Sequence, residues 1–190
     1  MTTTMRVPYS HLAYPQRQTE TEAILTDIRK VVEAGDFTLG RAVGELEEAW
    51  AAYCHTKYAI GVANGTDALA LSLKAIGIGS GSTVITAPYG YVATVGAILQ
   101  VGATPLFGDI DDDAGLLAEM NLRRYGMAID AILPVSWAGA PWMAPSLEGL
   151  PPIVLDDSQA IGAAPWRARA MCAAYSLHPL KNLHVWGDGG

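Results

Sequence analysis

The fold of this chain is decided by an uncharged stretch, Thr83-Val-Ile-Thr-Ala-Pro-Tyr-Gly-Tyr-Val-Ala-Thr-Val-Gly-Ala-Ile-Leu-Gln-Val-Gly-Ala-Thr-Pro-Leu-Phe107. Its first residues, Thr83 to Ala87, are apolar and β-branched, which is typical of a buried strand. A turn signal follows, and then a helical pattern from about Tyr91 to Val101. A second short strand is predicted from Thr104 to Phe107. This order predicts a right-handed βαβ crossover between two parallel strands.

The same region must be compared with a membrane helix, because no charged residue occurs from Ala75 to Gly108 and a bilayer span requires fewer residues. The β-branched piece Thr83–Thr86 favours a buried strand over a spanning helix. Turn-forming residues also divide the run into short pieces: Gly77, Gly79, Gly81, Pro88, Gly90, Gly96, Gly102 and Pro105. We therefore expect the core of a parallel sheet and no membrane partner.

The alternation of strands and helices extends in both directions along the chain. Towards the N-terminus, the pattern predicts a helix over Thr19–Glu33, a helix after Gly40, a strand at Tyr58–Val62 and a helix carrying Leu69, Leu73 and Ile76. Towards the C-terminus, it predicts a short helix near Leu116–Arg123 and strands at Ala131–Val135, Pro152–Leu155 and Ala173–Leu177. The sequence therefore predicts an α/β fold, an open and mostly parallel sheet with helices on both faces. Because no linker or repeat divides residues 1–190, a single domain is expected.

Composition narrows the class of protein. The 190 residues are 51% hydrophobic and 16% charged, which is typical of a packed globular protein. The net charge of -7 argues against a nucleic-acid partner, since such binding depends on clustered Lys and Arg. Cys54 and Cys172 provide neither a disulfide framework nor metal-ligand spacing, and the N-terminus lacks a secretory signal pattern. A cytoplasmic protein that binds small molecules and further copies of itself is expected.

One lysine lies in an apolar context near the end of the chain, in Ala174-Tyr-Ser-Leu-His-Pro-Leu-Lys-Asn-Leu-His-Val-Trp-Gly-Asp-Gly189. Lys181 would lose hydration there, which suits an amine that attacks a carbonyl and forms a Schiff base. The alternative is a lysine whose stem lies on apolar surface while its ammonium stays in water. Lys181 is therefore a candidate reactive residue that other segments must support.

Asn64-Gly65-Thr66 follows a predicted strand and opens a predicted helix. Backbone N–H groups and the positive end of the helix could hold an anion such as a phosphate there, with Gly65 allowing close approach and Thr66 adding a hydroxyl. The alternative is an ordinary helix N-cap. The spacing matches neither a Walker loop nor a dinucleotide glycine motif.

Two further side chains are expected at the carboxyl ends of strands, where open α/β sheets bind their ligands. Asp156 follows the apolar segment Ile153-Val-Leu155 and could pair with a protonated ring nitrogen, or it could cap the next turn. Tyr91 follows the strand Thr83–Ala87 and could stack on a flat cofactor, or it could pack in the core.

The acidic segment Asp109-Ile-Asp-Asp-Asp113 permits a different hypothesis. It resembles the acidic pair with which some sugar-nucleotide transferases hold a divalent metal, and Asp109 and Asp111 would be the ligands. A solvated loop after a strand is the preferred interpretation, since runs of like charge usually form one. His178 and His184 lack a Cys partner or an HExxH pattern, so no metal is expected there.

Taken together, these segments resemble the DegT family of sugar aminotransferases, which are fold-type I enzymes dependent on pyridoxal 5'-phosphate (PLP). The resemblance runs nearly from end to end. It is carried by Gly35–Gly40, Gly61–Leu69, Ala87–Thr94, Val101–Pro105, Asp156–Gly162 and Ser176–Gly190. It implies that residues 1–190 are the N-terminal part of a PLP-binding large domain, without the rest of that domain and without the small C-terminal domain. The expected molecule is then a fragment of a homodimeric enzyme.

The resemblance also implies roles for individual residues. Lys181 becomes the Schiff-base lysine, Asp156 the partner of the pyridine nitrogen, and Gln159 a hydrogen-bond donor to the ring hydroxyl oxygen. Tyr91 stacks on the ring. The phosphate ligands are Gly65, Thr66 and Ser176. The implied reaction moves an amino group from an amino acid, glutamate being the expected donor, to a keto sugar that is linked to a nucleotide, as in amino-sugar biosynthesis.

Two departures from the family pattern accompany the resemblance. Asp157 stands where small residues are usual, and Ser136-Trp-Ala-Gly139 replaces a stretch that contains His and Tyr. A non-catalytic remnant that keeps the fold without turnover therefore stays an alternative function. A metal-dependent sugar-nucleotide transferase built on Asp109 and Asp111 is the third hypothesis.

Overall fold

The computed structural model describes residues 18–111, 117–118, 129–143, 149–163 and 170–190. The chain divides into two compact units, the first ending at Gly61 and the second running from Val62 to Gly190. The organisation of residues 1–190 as one PLP-binding domain stays a prediction. The N-terminal residues, most of the helix predicted near Leu116–Arg123, and Asp112 and Asp113 lie outside the described residues.

The first unit contains the two predicted helices, α1 (Gln18–Ala34) and α2 (Arg41–Tyr53). The turn before α2 is tight, since a side chain on Gly40 would overlap the backbone carbonyl of Asp36. The Asp36 carboxylate accepts the Arg41 N–H at 2.8 Å, which satisfies one of the free donors at the start of the helix. None of the residues of α2 is buried. The apolar spacing predicted this helix correctly, although the apolar face of the helix is not buried.

The second unit contains five short parallel strands, β1 (Thr83–Thr86), β2 (Thr104–Phe107), β3 (Ala131–Ile132), β4 (Val154–Asp156) and β5 (Cys172–Ala174). One sheet has the order β2-β1-β3 and a second pairs β4 with β5. Isolated parallel bridges, Ile132 with Ile153 and Val135 with Asp156, connect β3 to β4. The predicted α/β fold with a parallel sheet is confirmed.

Apolar residues on these strands alternate between the two faces of the sheet, as the strand period requires. Val84, Leu133 and Val154 point towards the face that carries α3 (Gly65–Ala75) and α4 (Val92–Gln100). The residues packed on the opposite face are Ile85, Leu117, Ile129, Ile132, Trp142, Ile153 and Leu155. In the described part of this unit both α-helices lie on one face, so the predicted helical cover of the other face is not seen there.

The uncharged run from Ala75 to Gly108 consists of β1, α4 and β2 with their turns. Three consecutive residues of β1, Val84, Ile85 and Thr86, are fully buried, and β1 pairs with β2 from Thr83–Thr104 to Thr86–Phe107. Burial on both faces of this strand explains why the run lacks charge. Among the described residues, no helix has both the length and the apolar character that crossing a membrane requires.

The predicted strand at Tyr58–Val62 is wrong. The segment has no strand in the structure, although Val62 exchanges two backbone hydrogen bonds with Gly190, at 2.9 and 3.1 Å. A strand needs a ladder of such bonds, and a single reciprocal pair does not provide one. The apolar pattern alone could not predict which partner the segment would find.

Thr86 gives a stability test, because its hydroxyl is fully buried and finds no hydrogen-bond partner among the described residues. Thr86→Val should leave the free energy of unfolding unchanged or raise it by up to about 1 kcal/mol, since no bond is lost and a desolvation cost is removed. Leu73→Ala, at an equally buried apolar position, should instead lower it by about 2–5 kcal/mol. Urea unfolding at constant m-value measures both. A clear loss in Thr86→Val would show that the hydroxyl has a partner.

Candidate cofactor site

The first turn of α3 carries the predicted anion site. Asn64 is the N-cap, and its side-chain oxygen accepts the Asp67 N–H at 2.8 Å. Asn64 therefore caps the helix as the alternative predicted, but this bond satisfies only one of the backbone N–H groups at the helix end. The N–H groups of Gly65 and Thr66, the first two helical residues, have no partner among the described residues. They remain able to bind a phosphate together with the Thr66 hydroxyl.

Ser176 lies directly against this helix end. A Cβ added to Gly65 would come within 2.8 Å of the Ser176 Cβ and 3.3 Å of its Oγ. Only glycine therefore fits at position 65, because any larger side chain would separate the serine from the helix. The structure thus brings Gly65 and Ser176 together, and Thr66 is adjacent in the same turn.

Asp156 ends β4 and is almost completely buried, with 5% of its surface exposed. Its Oδ1 accepts the Ser158 N–H at 3.2 Å, which is the turn-capping role proposed as the alternative. Its Oδ2 accepts the Thr94 hydroxyl at 2.7 Å. Thr94 was not identified as a site residue because it lies 62 positions earlier, on α4. The only sequence signal was its place in the Ala87–Thr94 segment that carries the family resemblance.

Asp157 faces away from Asp156, as expected for consecutive residues at a strand end. Its carboxylate accepts a short hydrogen bond from the buried Ser136 hydroxyl, and that hydroxyl accepts the Trp142 N–H at 3.2 Å. Ser136 begins the segment 136–139 that departs from the family pattern, Asp157 is the other departure, and the structure shows that their side chains bind each other. The second carboxylate therefore has a polar partner of its own on the opposite face of the sheet.

Gln159 is half-buried, and its side-chain oxygen accepts the Ala138 N–H at 2.7 Å. Since a backbone N–H can only donate, this bond places the oxygen towards Ala138 and leaves the Gln159 NH₂ group to donate elsewhere. Ala138 has a left-handed backbone, with φ of 53°, within the 3-10 turn Trp137–Gly139. This unusual turn fixes the orientation of the Gln159 amide.

Tyr91 is the N-cap residue of α4 and is 65% exposed. Core packing, the alternative interpretation of this aromatic residue, is therefore wrong. Its neighbour Tyr89 contacts Trp137 instead, with ring centroids 5.2 Å apart. The Tyr91 ring remains accessible for a ligand at the carboxyl end of β1.

Lys181 is half-buried in the turn that follows β5. Its backbone N–H donates to His178 at 2.8 Å, and its carbonyl oxygen lies 3.1 Å from Nδ1 of His184. Among the described residues its ammonium has no hydrogen-bond or ion-pair partner. The side chain of Asn182 donates to the Ile161 carbonyl at 2.6 Å, so the lysine turn is tied to the segment that contains Asp156 and Gln159.

These groups fit PLP in their chemistry. Helix N–H groups and hydroxyls suit a phosphate, a buried carboxylate suits a protonated ring nitrogen, and an amide donor suits a phenolic oxygen. The role of each residue stays a prediction. For the metal hypothesis, the described residues contain no group of three or more His, Cys, Asp or Glu that could hold an ion. Asp112 and Asp113 lie outside them.

Comparisons with known proteins agree with this chemistry. The model of the DegT/DnrJ/EryC1/StrS aminotransferase family matches residues 18–190. The dTDP-3-amino-3,4,6-trideoxy-alpha-D-glucose transaminase of Streptomyces venezuelae is 36% identical over 200 residues, which cover 98% of this chain and 52% of the relative. The UDP-N-acetyl-3-dehydro-alpha-D-glucosamine 3-aminotransferase of Acidithiobacillus ferrooxidans is 36% identical over 184 residues, covering 89% and 48%.

The fold is likewise similar to that of a solved transaminase-family structure. The crystal structure of S. venezuelae DesV in complex with a ketimine intermediate gives a TM-score of 0.87 at 35% identity, covering 98% of this chain and 53% of that one. The chain therefore spans about half the length of the relatives that it matches.

Gly65→Ala tests the contact between α3 and Ser176. The added methyl group should lower the free energy of unfolding by about 1–3 kcal/mol and weaken the binding of inorganic phosphate and PLP, because it would push the serine from the helix end. Gly44→Ala is a matched control, since it is also a helical glycine but has open space at its Cβ. That variant should gain about 0.5–1 kcal/mol. Equal behaviour of the two variants would contradict the proposed contact.

Proposed function

Because the chain belongs to the DegT/DnrJ/EryC1/StrS aminotransferase family, whose enzymes depend on PLP, we propose that it supplies the cofactor-binding half of a sugar aminotransferase. The enzyme would move an amino group from glutamate to a nucleotide-linked keto sugar. The observation that carries the proposal is the placement of the Lys181 turn beside the Asp156–Gln159 segment, through the bond from Asn182 to Ile161.

Six residues would bind and orient the cofactor. The N–H groups of Gly65 and Thr66 and the Ser176 hydroxyl hold its phosphate at the positive end of α3. Asp156 accepts a hydrogen bond from the ring nitrogen, and the NH₂ group of Gln159 donates to the ring oxygen. Tyr91 covers one face of the ring at the carboxyl end of β1.

When bound, PLP supplies an electrophilic aldehyde carbon and a pyridine ring that takes up the electrons of a carbanion. Lys181 Nζ would be the amine that holds this aldehyde carbon. The same Nζ, in its free form, would serve as the general base and acid that carries the proton of the donor's α-carbon. The buried carboxylate of Asp156 holds the ring proton, which keeps the ring able to accept electrons.

The two named relatives support the choice of substrate class. One is named for a dTDP-linked amino sugar and the other for a UDP-linked keto sugar. Both are 36% identical to this chain over the matched residues. A nucleotide-linked keto sugar is therefore the acceptor that we propose. This assignment places the protein in amino-sugar biosynthesis.

A homodimer and a cytoplasmic location complete the proposal. Large apolar side chains are exposed in both units, for example Leu39, Ile60 and Trp186, as expected of surfaces that a second copy covers. The two cysteines of the sequence, Cys54 and Cys172, provide no disulfide framework, which suits a reducing compartment. Sedimentation velocity of the chain should give a dimer, and a monomer at micromolar concentration would contradict that part of the proposal.

The covalent link to Lys181 is the first test. The chain mixed with PLP should develop a visible absorption band that borohydride fixes, and mass spectrometry should then find the adduct on Lys181. Lys181→Ala should lack the band and the adduct, whereas Lys74→Ala, which removes an exposed lysine of α3, should keep both. A folded wild-type chain without the band would favour the non-catalytic alternative.

The donor is the second test. Glutamate added to the PLP-loaded chain should remove the visible band, because the amino group passes to the cofactor, and 2-oxoglutarate should appear in equal amount. A dTDP- or UDP-linked keto sugar should then restore the band. Aspartate and alanine are the comparison donors. Faster loss of the band with either of them than with glutamate would show that the proposed donor is wrong.

A further inference from the structure

Thr94 occupies an unusual place for a helical threonine. It lies in the first turn of α4, three residues after the N-cap Tyr91, and is only 2% exposed. A threonine hydroxyl in a helix commonly bonds a carbonyl of the preceding turn. Here it donates instead to Oδ2 of Asp156, at 2.7 Å, on a strand that is two crossovers away in the chain. The bond therefore links α4 to the carboxyl end of β4.

The carboxylate of Asp156 receives one donor on each oxygen. The Ser158 N–H donates to Oδ1 and the Thr94 hydroxyl donates to Oδ2. Because each oxygen has its own donor, the two bonds together fix the orientation of the carboxylate plane. A carboxylate has about four lone-pair positions, and within the described parts of the chain only two of those of Asp156 receive a donor. The Ser158 bond is local and would form in many turns, whereas the Thr94 bond comes from another element and selects one side-chain orientation.

We infer that Thr94 is a positioning residue which orients the Asp156 carboxylate towards the ring nitrogen of the bound cofactor. This inference rests on the proposed function, in which Asp156 binds that nitrogen. Thr94 itself touches neither cofactor nor substrate and acts only through the aspartate. The first turn of α4 adds the positive end of a helix near the same carboxylate.

The chain provides a matched control for this hydroxyl. Thr86 is also a buried threonine in the layer between the sheet and the helices, but its hydroxyl has no partner among the described residues. Thr94→Val and Thr86→Val therefore remove the same atom from similar surroundings, and only the first removes a hydrogen bond. Thr94→Ser keeps the hydroxyl and should rescue whatever Thr94→Val loses.

The experiment measures the dissociation constant of PLP and the visible spectrum of the loaded chain across pH for the wild type and these variants. Thr94→Val should bind PLP roughly tenfold to a hundredfold more weakly, the range expected for a hydrogen bond to a charged group. Its absorption maximum should also shift with pH differently from that of the wild type, because the ring nitrogen has a misoriented partner. Thr94→Ser and Thr86→Val should match the wild type in both readouts.

Other results would overturn the inference. If Thr94→Val and the wild type share the same spectrum and the same PLP affinity, Thr94 does not position Asp156. If Thr94→Val fails to fold, Thr94→Ala compared with Thr94→Ser repeats the test, and equal spectra of these two reject the inference. A wild-type chain that binds no PLP rejects the proposed function and the inference together, so the two failures are distinguishable.

Discussion

A buried carboxylate at the carboxyl end of β4 imposes the strongest constraint on this molecule. Moving an ionised carboxylate into a protein interior costs several kcal/mol unless hydrogen bonds compensate. Asp156 meets this requirement with one local donor, Ser158, and one distant donor, Thr94. The second bond joins the first turn of α4 to the carboxyl end of β4. The two bonds together both compensate the burial of the carboxylate and fix its orientation.

The neighbouring carboxylate obeys the same rule on the other face. Asp157 is bound by the Ser136 hydroxyl, which is held in turn by the Trp142 backbone, and the Trp142 indole donates to Leu117 at 2.9 Å. Ser136, in the segment 136–139 that departs from the family pattern, and Asp157 thus belong to one polar network. Since each aspartate has its own donors, the strand end accommodates two acidic residues in succession.

The remaining site groups gather because parallel strands end at the same edge of a sheet. β1, β4 and β5 bring Tyr91, Asp156 and Ser176 to that edge, and the start of α3 faces the serine through the only residue type that fits, a glycine. The segment after β4 is then tied to the lysine turn by Asn182. These links join the segments that carry the predicted cofactor residues, in a chain that spans about half the length of its relatives.

The sequence by itself determined the types of most elements, the parallel character of the sheet and the family. The period of apolar residues identified α1 to α4 and most strands, since that period depends only on local backbone geometry. The motif segments identified the candidate site, including Lys181, Asp156 and Gly65. Local patterns failed at Tyr58–Val62, where strand formation depends on a partner that the segment does not contain. Side-chain partners such as Thr94 with Asp156, Ser136 with Asp157 and Gln159 with Ala138 were decided only by the tertiary structure, because they join residues 21 to 62 positions apart whose distance no sequence period encodes.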